Sequence, residues 1–121
     1  LTQGYRPVLS IPIIDEQGYA INSENDDIVS ILQKTLQADR IVQLIEAPGF
    51  LDDPDDPGSV VNLISANELK DREEQVKGRM KRKMLALRRL FDGGAKEVII
   101  ADGRTEHPVR DALAGKGTII Q

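Results

Sequence analysis

Two hydrophobic periods alternate along the first half of the chain. An apolar run rich in β-branched residues covers Arg6–Ile14 and ends at the turn signal Asp15–Gly18, so it predicts a buried β-strand. From Asp26 onward, apolar residues recur every three or four positions, which predicts an amphipathic helix with Asn25 as its N-terminal cap. The apolar run Arg40–Ile45 predicts the next strand.

The second half of the chain continues this alternation. Ser65–Glu68 has the sequence of a capping box and predicts the start of a helix. The apolar stripe of a longer helix, which Gly93–Gly94 ends, consists of Met80, Met84, Leu87 and Phe91. Glu97–Ala101 and Gly117–Ile120 predict two further strands, separated by a short helix that opens at Pro108. We therefore predict an α/β fold, a three-layer α/β/α sandwich with a mainly parallel central sheet.

The composition agrees with one α/β domain. The chain has 121 residues, of which 40% are hydrophobic and only 3% aromatic, so its core must consist mainly of Ile, Leu, Val and Ala. The absence of Cys excludes a disulfide framework and a thiolate zinc site. No apolar run approaches the ~20 residues that span a bilayer, and no signal segment opens the chain. We expect a soluble cytoplasmic protein without membrane contact.

Acidic and basic residues are segregated along the chain, although the net charge is only −4. Glu46–Asp56 contains five carboxylates and no base, whereas Lys77–Arg89 contains seven Lys or Arg residues and no acid. The basic stretch is either a solvated helix face or a surface for an anionic ligand. Nucleic acid is not expected as that ligand, because aromatic residues are not interleaved and the whole chain is negative.

Three short motifs occur in the order and spacing of one enzyme family. The first is Asn22-x-x-x-Asp26 at the start of the predicted helix, and the second is the turn Glu46-Ala47-Pro48-Gly49 after a predicted strand. The third is the stretch Gly78-x-Met80-x-x-Lys83. Together with the C-terminal stretch EVIIADGRTEHPVRDALAGKGTII, these motifs resemble acetylglutamate kinase and its relatives, the amino-acid kinases.

The resemblance implies phosphorylation of a side-chain carboxylate by ATP with Mg²⁺. The stretches EAPGFL and GRMKRKM are most similar to the branch that acts on 2-aminoadipate or glutamate bound to LysW, a small acidic amino-group carrier protein of lysine and arginine biosynthesis. That branch implies LysW as a partner, and the family implies a homo-oligomer. Acetylglutamate is the nearest alternative substrate. The alternative of another class is a non-catalytic nucleotide-binding or regulatory module.

The resemblance also implies roles for individual residues. Lys83 would neutralise the moving phosphoryl group, Asp26 would orient the catalytic lysines, and Asn22 would bind the substrate through a hydrogen bond. The nucleotide would be bound by Glu46, Ala47, Pro48, Gly49, Phe50 and Leu51. No protein ligands for a metal are predicted. The ordinary alternatives are a surface lysine for Lys83 and helix capping for Asn22 and Asp26.

The resemblance extends over nearly the whole chain but only over the C-terminal half of the family. The family's N-terminal half contains a first catalytic Lys, a Gly-Gly pair and an Arg for the substrate's α-carboxylate, and none has a counterpart here. We therefore interpret residues 1–121 as the C-terminal nucleotide-binding part, without the amino-acid-binding half, and expect it to be inactive alone. Glu46 stands where many relatives have Asp, which keeps the charge but changes its reach.

Three other features do not predict a site. Gly115–Thr118 resembles a phosphate-binding Walker loop, but the preceding Gly and the hydroxyl residue after the Lys are missing, so we interpret it as a turn. Asp52–Gly58 resembles a calcium loop, but prolines occupy ligand positions and no Glu ends it, which favours a solvated acidic loop. His107 precedes Pro108 at a predicted helix start, and we assign it no catalytic role.

Overall fold

The computed structural model describes residues 1–121 as six short strands and four helices. The strands are β1 (Ile13–Ile14), β2 (Ala20–Ile21), β3 (Ile41–Ile45), β4 (Leu63–Ile64), β5 (Val98–Asp102) and β6 (Thr118–Ile120). The helices are α1 (Asn25–Leu36), α2 (Leu69–Gln75), α3 (Gly78–Asp92) and α4 (Pro108–Leu113), with a 3-10 turn at Ala66–Glu68 before α2. No helix combines the length and apolar character that crossing a membrane requires.

A four-stranded sheet in the order β3-β5-β6-β4 forms the centre of the molecule. β3 runs parallel to β5, with Ile41 opposite Val98 and Ile45 opposite Asp102. β4 runs parallel to β6, whereas β5 and β6 are antiparallel. The parallel pairings bring the ends of β3 and β5 to the same edge of the sheet, where α/β proteins usually bind ligands.

Helices cover both faces of this sheet. The alternating side chains of β5 point to opposite sides, so Val98 and Ile100 join one cluster while Ile99 joins the other. The first cluster lies under α2 and α3 and contains Phe50, Ile64, Leu69, Met84, Leu87, Leu90, Val98, Ile100 and Ile120. The second contains Ala112 of α4. The predicted three-layer α/β/α sandwich with a mainly parallel sheet is confirmed.

The N-terminal segment contradicts the prediction of a buried strand at Arg6–Ile14. Only Ile13–Ile14 is extended, and it pairs with Ala20–Ile21 in a separate two-stranded hairpin rather than with the central sheet. Val8 is 95% exposed. The prediction was wrong because a buried strand needs covering layers as well as a partner strand. Here the partner β2 pairs with only two residues of the run, and the apolar side chains of the run remain exposed.

Two local predictions are corrected, and one is confirmed. The residue that precedes α1 as its N-cap is Glu24 rather than Asn25, and it makes no side-chain capping bond. Met80 is partly exposed rather than part of the core stripe, because it lies in the first turn of α3 beside a cleft. The capping box is confirmed, since Ser65 accepts from a backbone N–H and Glu68 accepts from the Ser65 N–H.

Candidate functional site

Helices α1 and α3 bring Asp26 and Lys83 into contact. The Lys83 Nζ donates to Asp26 Oδ1 at 3.1 Å, across 57 residues of sequence. Both side chains are partly shielded, with exposures of 25% for Lys83 and 40% for Asp26. The carboxylate therefore holds the ammonium group on the α1 side of α3 and restricts its free rotation. Two residues to which the resemblance assigns linked roles lie side by side.

Asn22, the predicted substrate ligand, lies between β2 and the first turn of α1. Its side chain is exposed, so the amide is open to a ligand that approaches from solvent. It stands four residues before Asp26 in the sequence, outside the helix that carries Asp26. The position of Asn22 thus differs from that of a helix N-cap, which Glu24 occupies.

The segment Glu46–Leu51, which we call the nucleotide loop, leaves the carboxyl end of β3. Glu46 is exposed, whereas Gly49 and Phe50 are buried. An added Cβ at Gly49 would lie 2.9 Å from Thr118 Oγ1, so only glycine fits there without movement of its neighbours. Position 49 therefore requires glycine because it lies against Thr118 of the protein's own strand β6.

A cleft of about 430 Å³ opens between the end of the nucleotide loop and the helices α2 and α3. Its lining includes Phe50, Leu51, Arg72, Val76, Lys77 and Met80. The Arg72 guanidinium carbon lies 5.8 Å from the centre of the Phe50 ring, within range of a cation–π contact. The apolar surface lies beside two cations and one carboxylate, Asp52, so the cleft can contact a ligand that has one flat apolar part and one anionic part.

The cleft includes only part of the predicted nucleotide-binding set. Phe50 and Leu51 line it, whereas Glu46, Ala47, Pro48 and Gly49 lie outside its lining and form the approach from β3. Lys83 is also outside the lining, but Met80, less than one helical turn earlier on α3, is part of it. The cleft and the Lys83–Asp26 pair are therefore adjacent through α3.

A second charged group at the same sheet edge was not predicted. Arg104 binds both carboxylate oxygens of Asp102 at 2.8 Å. This side-chain contact, together with the bond from the Arg104 backbone N–H, lowers the pKa of Asp102 to about 2. Asp102 in turn raises the pKa of Arg104, and Glu46 adds to that effect by its charge. The only sequence signal for the pair was an Asp and an Arg two residues apart after a strand.

Sequence analysis missed Arg72, whose contact with the Phe50 ring is described above, and it also missed the role of Thr118. Thr118 Oγ1 accepts a hydrogen bond from the Phe50 N–H at 2.8 Å, and both groups are buried. The interpretation of Gly115–Thr118 as a turn therefore holds only for its first part, because Thr118 begins β6. No local pattern signals this contact, since 68 residues separate the two partners.

The basic helix α3 is a partly solvated surface. Arg79, Lys81, Arg82 and Arg89 are exposed. Arg88 differs, because it pairs with Glu73 of α2 at 3.0 Å and is half-buried. Arg82 and Arg89 also line a second cleft of about 270 Å³, whose opposite side carries Asp27 of α1. The free basic surface thus consists of the four exposed residues and excludes Arg88.

Comparison with known proteins identifies the relatives of this chain. The model of the amino acid kinase family matches residues 1–102. The [LysW]-aminoadipate kinase of Thermus thermophilus is 37% identical over 123 aligned residues, which cover 100% of this chain and 46% of that protein. The acetylglutamate kinase of Methanothrix thermoacetophila is 33% identical over 123 aligned residues, which cover 98% of this chain and 43% of that protein. The chain spans less than half the length of these curated relatives.

Solved structures share the same fold. N-acetylglutamate synthase of Neisseria gonorrhoeae superimposes on 87% of this chain with a TM-score of 0.73 at 22% identity, using 25% of its own length. Carbamate kinase of Giardia lamblia, solved with AMP-PNP bound, superimposes on 85% of this chain with a TM-score of 0.65 at 26% identity, using 33% of its length. From the family match over most of its residues, we conclude that this chain belongs to the amino acid kinase family.

Proposed function

We propose that this chain forms the ATP-binding part of a kinase that phosphorylates a side-chain carboxylate. In that reaction a carboxylate oxygen forms a bond to the γ-phosphorus of ATP, the bond from that phosphorus to the β–γ bridging oxygen breaks, and ADP leaves. The products are an acyl phosphate and ADP. The observation that carries the proposal is the contact between Lys83 and Asp26, two residues far apart in sequence to which the resemblance assigns linked roles in this reaction.

Lys83 provides the positive charge in this proposal. Two anions must approach each other, so the reaction depends on cations that neutralise the oxygens of the transferred group. A lysine ammonium group is a compact charge suited to that position. Asp26 acts through Lys83, because a carboxylate at 3.1 Å keeps the ammonium group correctly oriented before ATP binds. Asn22, exposed in front of α1, would bind the acceptor by hydrogen bonds.

The cleft beside Phe50 is the proposed nucleotide site. The adenine ring would lie against the apolar residues of the cleft, and Arg72 and Lys77 would attract the phosphates. Glu46, Ala47, Pro48 and Gly49 would act chiefly by setting the path of the loop toward Phe50 and Leu51. No three acidic or histidine side chains of this chain converge into a metal cage, so Mg²⁺ would be bound mainly through the ATP phosphates.

We further propose that a protein segment outside residues 1–121 completes the acceptor site. The first 36 residues expose many large apolar side chains, and surfaces of this kind usually contact another protein segment. The partial coverage of the curated relatives supports the same idea. The activity is therefore expected from the complete protein and not from this chain alone.

The proposed acceptor is 2-aminoadipate or glutamate bound to LysW. The similarity to a [LysW]-aminoadipate kinase supports this choice, and so does the exposed basic surface of α3. An acidic carrier protein would be attracted to that surface over a distance of about one Debye length, ~10 Å at 0.1 M salt. Acetylglutamate is the second candidate, because a relative at 33% identity is an acetylglutamate kinase.

The test is an assay that traps the acyl phosphate with hydroxylamine. The complete protein is incubated with ATP, Mg²⁺ and either carrier-bound aminoadipate, carrier-bound glutamate or free acetylglutamate, and the hydroxamate is measured. Faster hydroxamate formation from a carrier-bound acceptor supports the proposal, whereas turnover of acetylglutamate alone selects the second candidate. Nucleotide binding without turnover of any acceptor would contradict the kinase and indicate a regulatory module.

A further inference from the structure

We propose that Thr118 is a positioning residue that holds the nucleotide loop in its ATP-binding conformation. The inference rests on the proposed function, because it assumes that the cleft beside Phe50 receives the nucleotide. Thr118 itself is completely buried and is not part of the lining of the cleft beside Phe50, so it would act through the loop and not by touching the ligand.

The hydroxyl of Thr118 supplies the acceptor for the Phe50 backbone N–H. The distance from Phe50 N to Thr118 Oγ1 is 2.8 Å. Phe50 is also buried, with 6% of the residue's surface exposed, so solvent cannot replace the threonine hydroxyl without a change of structure. The hydroxyl is therefore the partner on which the buried N–H depends.

The other side of the loop is fixed by the chain that follows it. The Phe50 carbonyl accepts a hydrogen bond from the Val61 N–H at 2.8 Å, and Leu51 forms an antiparallel bridge with Val60. Phe50 is thus held through both of its backbone polar groups, by Thr118 on one side and Val61 on the other. Loss of either bond would let the Phe50 ring, which forms one side of the cleft, change position.

Gly117 explains how Thr118 reaches this place. β6 pairs with β5 so that Thr118 lies opposite Ile100. Gly117 has a φ of +109°, and an added Cβ would lie 2.3 Å from the Ile100 carbonyl oxygen. Only glycine allows the chain to pass so close to β5 before Thr118 turns toward the loop. The pair Gly117–Thr118 therefore links β5, an inner strand of the sheet, to the nucleotide loop.

Two substitutions separate the hydroxyl from the shape of the side chain. Thr118→Val keeps the volume and removes the hydrogen-bond acceptor, whereas Thr118→Ser keeps the acceptor and removes a methyl group. In the complete protein without nucleotide, Thr118→Val should increase amide exchange at Phe50 by roughly tenfold, and Thr118→Ser should change it far less. The Gly103 amide, which donates to the Ile45 carbonyl, is the internal control. An equal increase at Phe50 and Gly103 would mean general destabilisation and would overturn the inference.

Steady-state kinetics test the functional half of the inference. Thr118→Val should raise the KM for ATP by roughly tenfold, with little change in kcat or in the KM for the acceptor, and Thr118→Ser should restore most of the loss. An unchanged KM for ATP in Thr118→Val would overturn the positioning role while the kinase proposal survives. If the unmodified protein does not bind ATP, the proposed function fails and this inference fails with it, while the exchange result at Phe50 still reports whether Thr118 holds the loop.

Discussion

Residues 1–36 and residues 37–121 contain similar apolar side chains but bury them very differently. Eleven of the sixteen exposed large hydrophobic residues lie in the first region, while all the buried hydrophobic residues lie in the second. Val8 is almost fully exposed, whereas the apolar residues of β5 are buried, because β3 and β6 flank this strand and helices cover both of its faces. Apolar sequence therefore predicts a preference for burial, but flanking strands together with covering helices decide whether burial occurs.

The ion pair between Asp26 and Lys83 joins these two regions. Asp26 lies on α1, which belongs to the exposed region, and Lys83 lies on α3, which packs on the sheet. α1 also packs through Val29 against the main core. The proposed catalytic centre thus lies on the boundary between the packed region and the region that exposes its apolar residues. We expect changes on the two sides of this boundary to differ in kind.

The largest expected effect is on stability and contrasts Leu87 with Val8. Leu87→Ala removes a fully buried side chain from α3, and such cavities cost about 2–5 kcal/mol of unfolding free energy. Val8→Ala changes an exposed side chain and should stay within about 0.5 kcal/mol. Urea unfolding of the 121-residue chain measures both. Equal costs for the two variants would contradict the division into a packed and an exposed region.

The same two variants sharpen the comparison when they are made in the complete protein. If a further segment covers the first region, Val8→Ala should become clearly destabilising there, while the cost of Leu87→Ala should remain similar. An unchanged, near-zero cost for Val8→Ala in the complete protein would mean that no segment covers Val8.

The next effect in size is catalytic and concerns Lys83. Lys83→Met removes the charge that the transition state needs and should lower kcat by roughly 100-fold, about 2.7 kcal/mol, with little change in KM. Lys81→Met is the matched control, because Lys81 is an exposed lysine on the same helix. Steady-state assays of the complete protein measure kcat and KM for both variants. Similar kcat values for the two variants would remove Lys83 from the catalytic role.

Asp26→Asn tests whether the boundary contact acts on catalysis or only on packing. The amide keeps the size of the side chain but loses the charge that holds Lys83 at 3.1 Å. We expect a smaller loss of kcat than for Lys83→Met, since the lysine charge remains. A variant that unfolds at a lower temperature but keeps its kcat would show that the pair only connects α1 to α3.

The sequence predicted local features better than contacts between distant segments. β3, β5, α3 and the capping box follow from periodicity and capping chemistry, which act over a few neighbouring residues. The proximity of Lys83 and Asp26 was expected from family resemblance and from no spacing rule. The contact from Phe50 to Thr118 had no local signal at all, because it joins two segments that only the folded sheet brings together.

The prediction of a buried strand at the N-terminus was wrong for the same reason. Arg6–Ile14 has the apolar composition of a buried strand, but composition does not reveal which strand will pair with it. The basic helix α3 is a smaller example of the same limit of sequence patterns. Its seven charges were visible in the sequence, but that Arg88 is engaged by Glu73 could be seen only after α2 and α3 had packed.

A smaller, salt-dependent effect is expected at the exposed basic surface of α3. Reversing Arg79 and Arg82 to Glu should raise the KM for a carrier-bound acceptor several-fold at low salt and leave the KM for ATP nearly unchanged. Arg110→Glu is the control, because Arg110 is exposed on α4, which packs on the other face of the sheet. The difference should shrink as salt increases. Equal effects on both substrates, or none at low salt, would contradict carrier steering by this surface.

The smallest expected effect belongs to the packed region and concerns Asp102 at the end of β5. Arg104 lowers the pKa of Asp102 from 3.8 to about 2 in the folded state. In that pH range the unfolded chain therefore binds more protons than the folded one, so the contribution of this pair is present above pH 3.8 and is lost as the pH falls toward 2. Arg104→Gln should flatten the change of melting temperature with pH in this window.

Lys81→Gln is the matched control, because it removes one exposed positive charge from α3 and leaves the contact with Asp102 intact. Melting curves of the 121-residue chain between pH 5 and pH 2 compare the two variants with the unmodified protein. We expect the curves of all three to differ by a nearly constant amount above pH 4, and only Arg104→Gln to change slope below it. Parallel curves for all three proteins down to pH 2 would mean that the Arg104 contact does not hold Asp102 in its charged form.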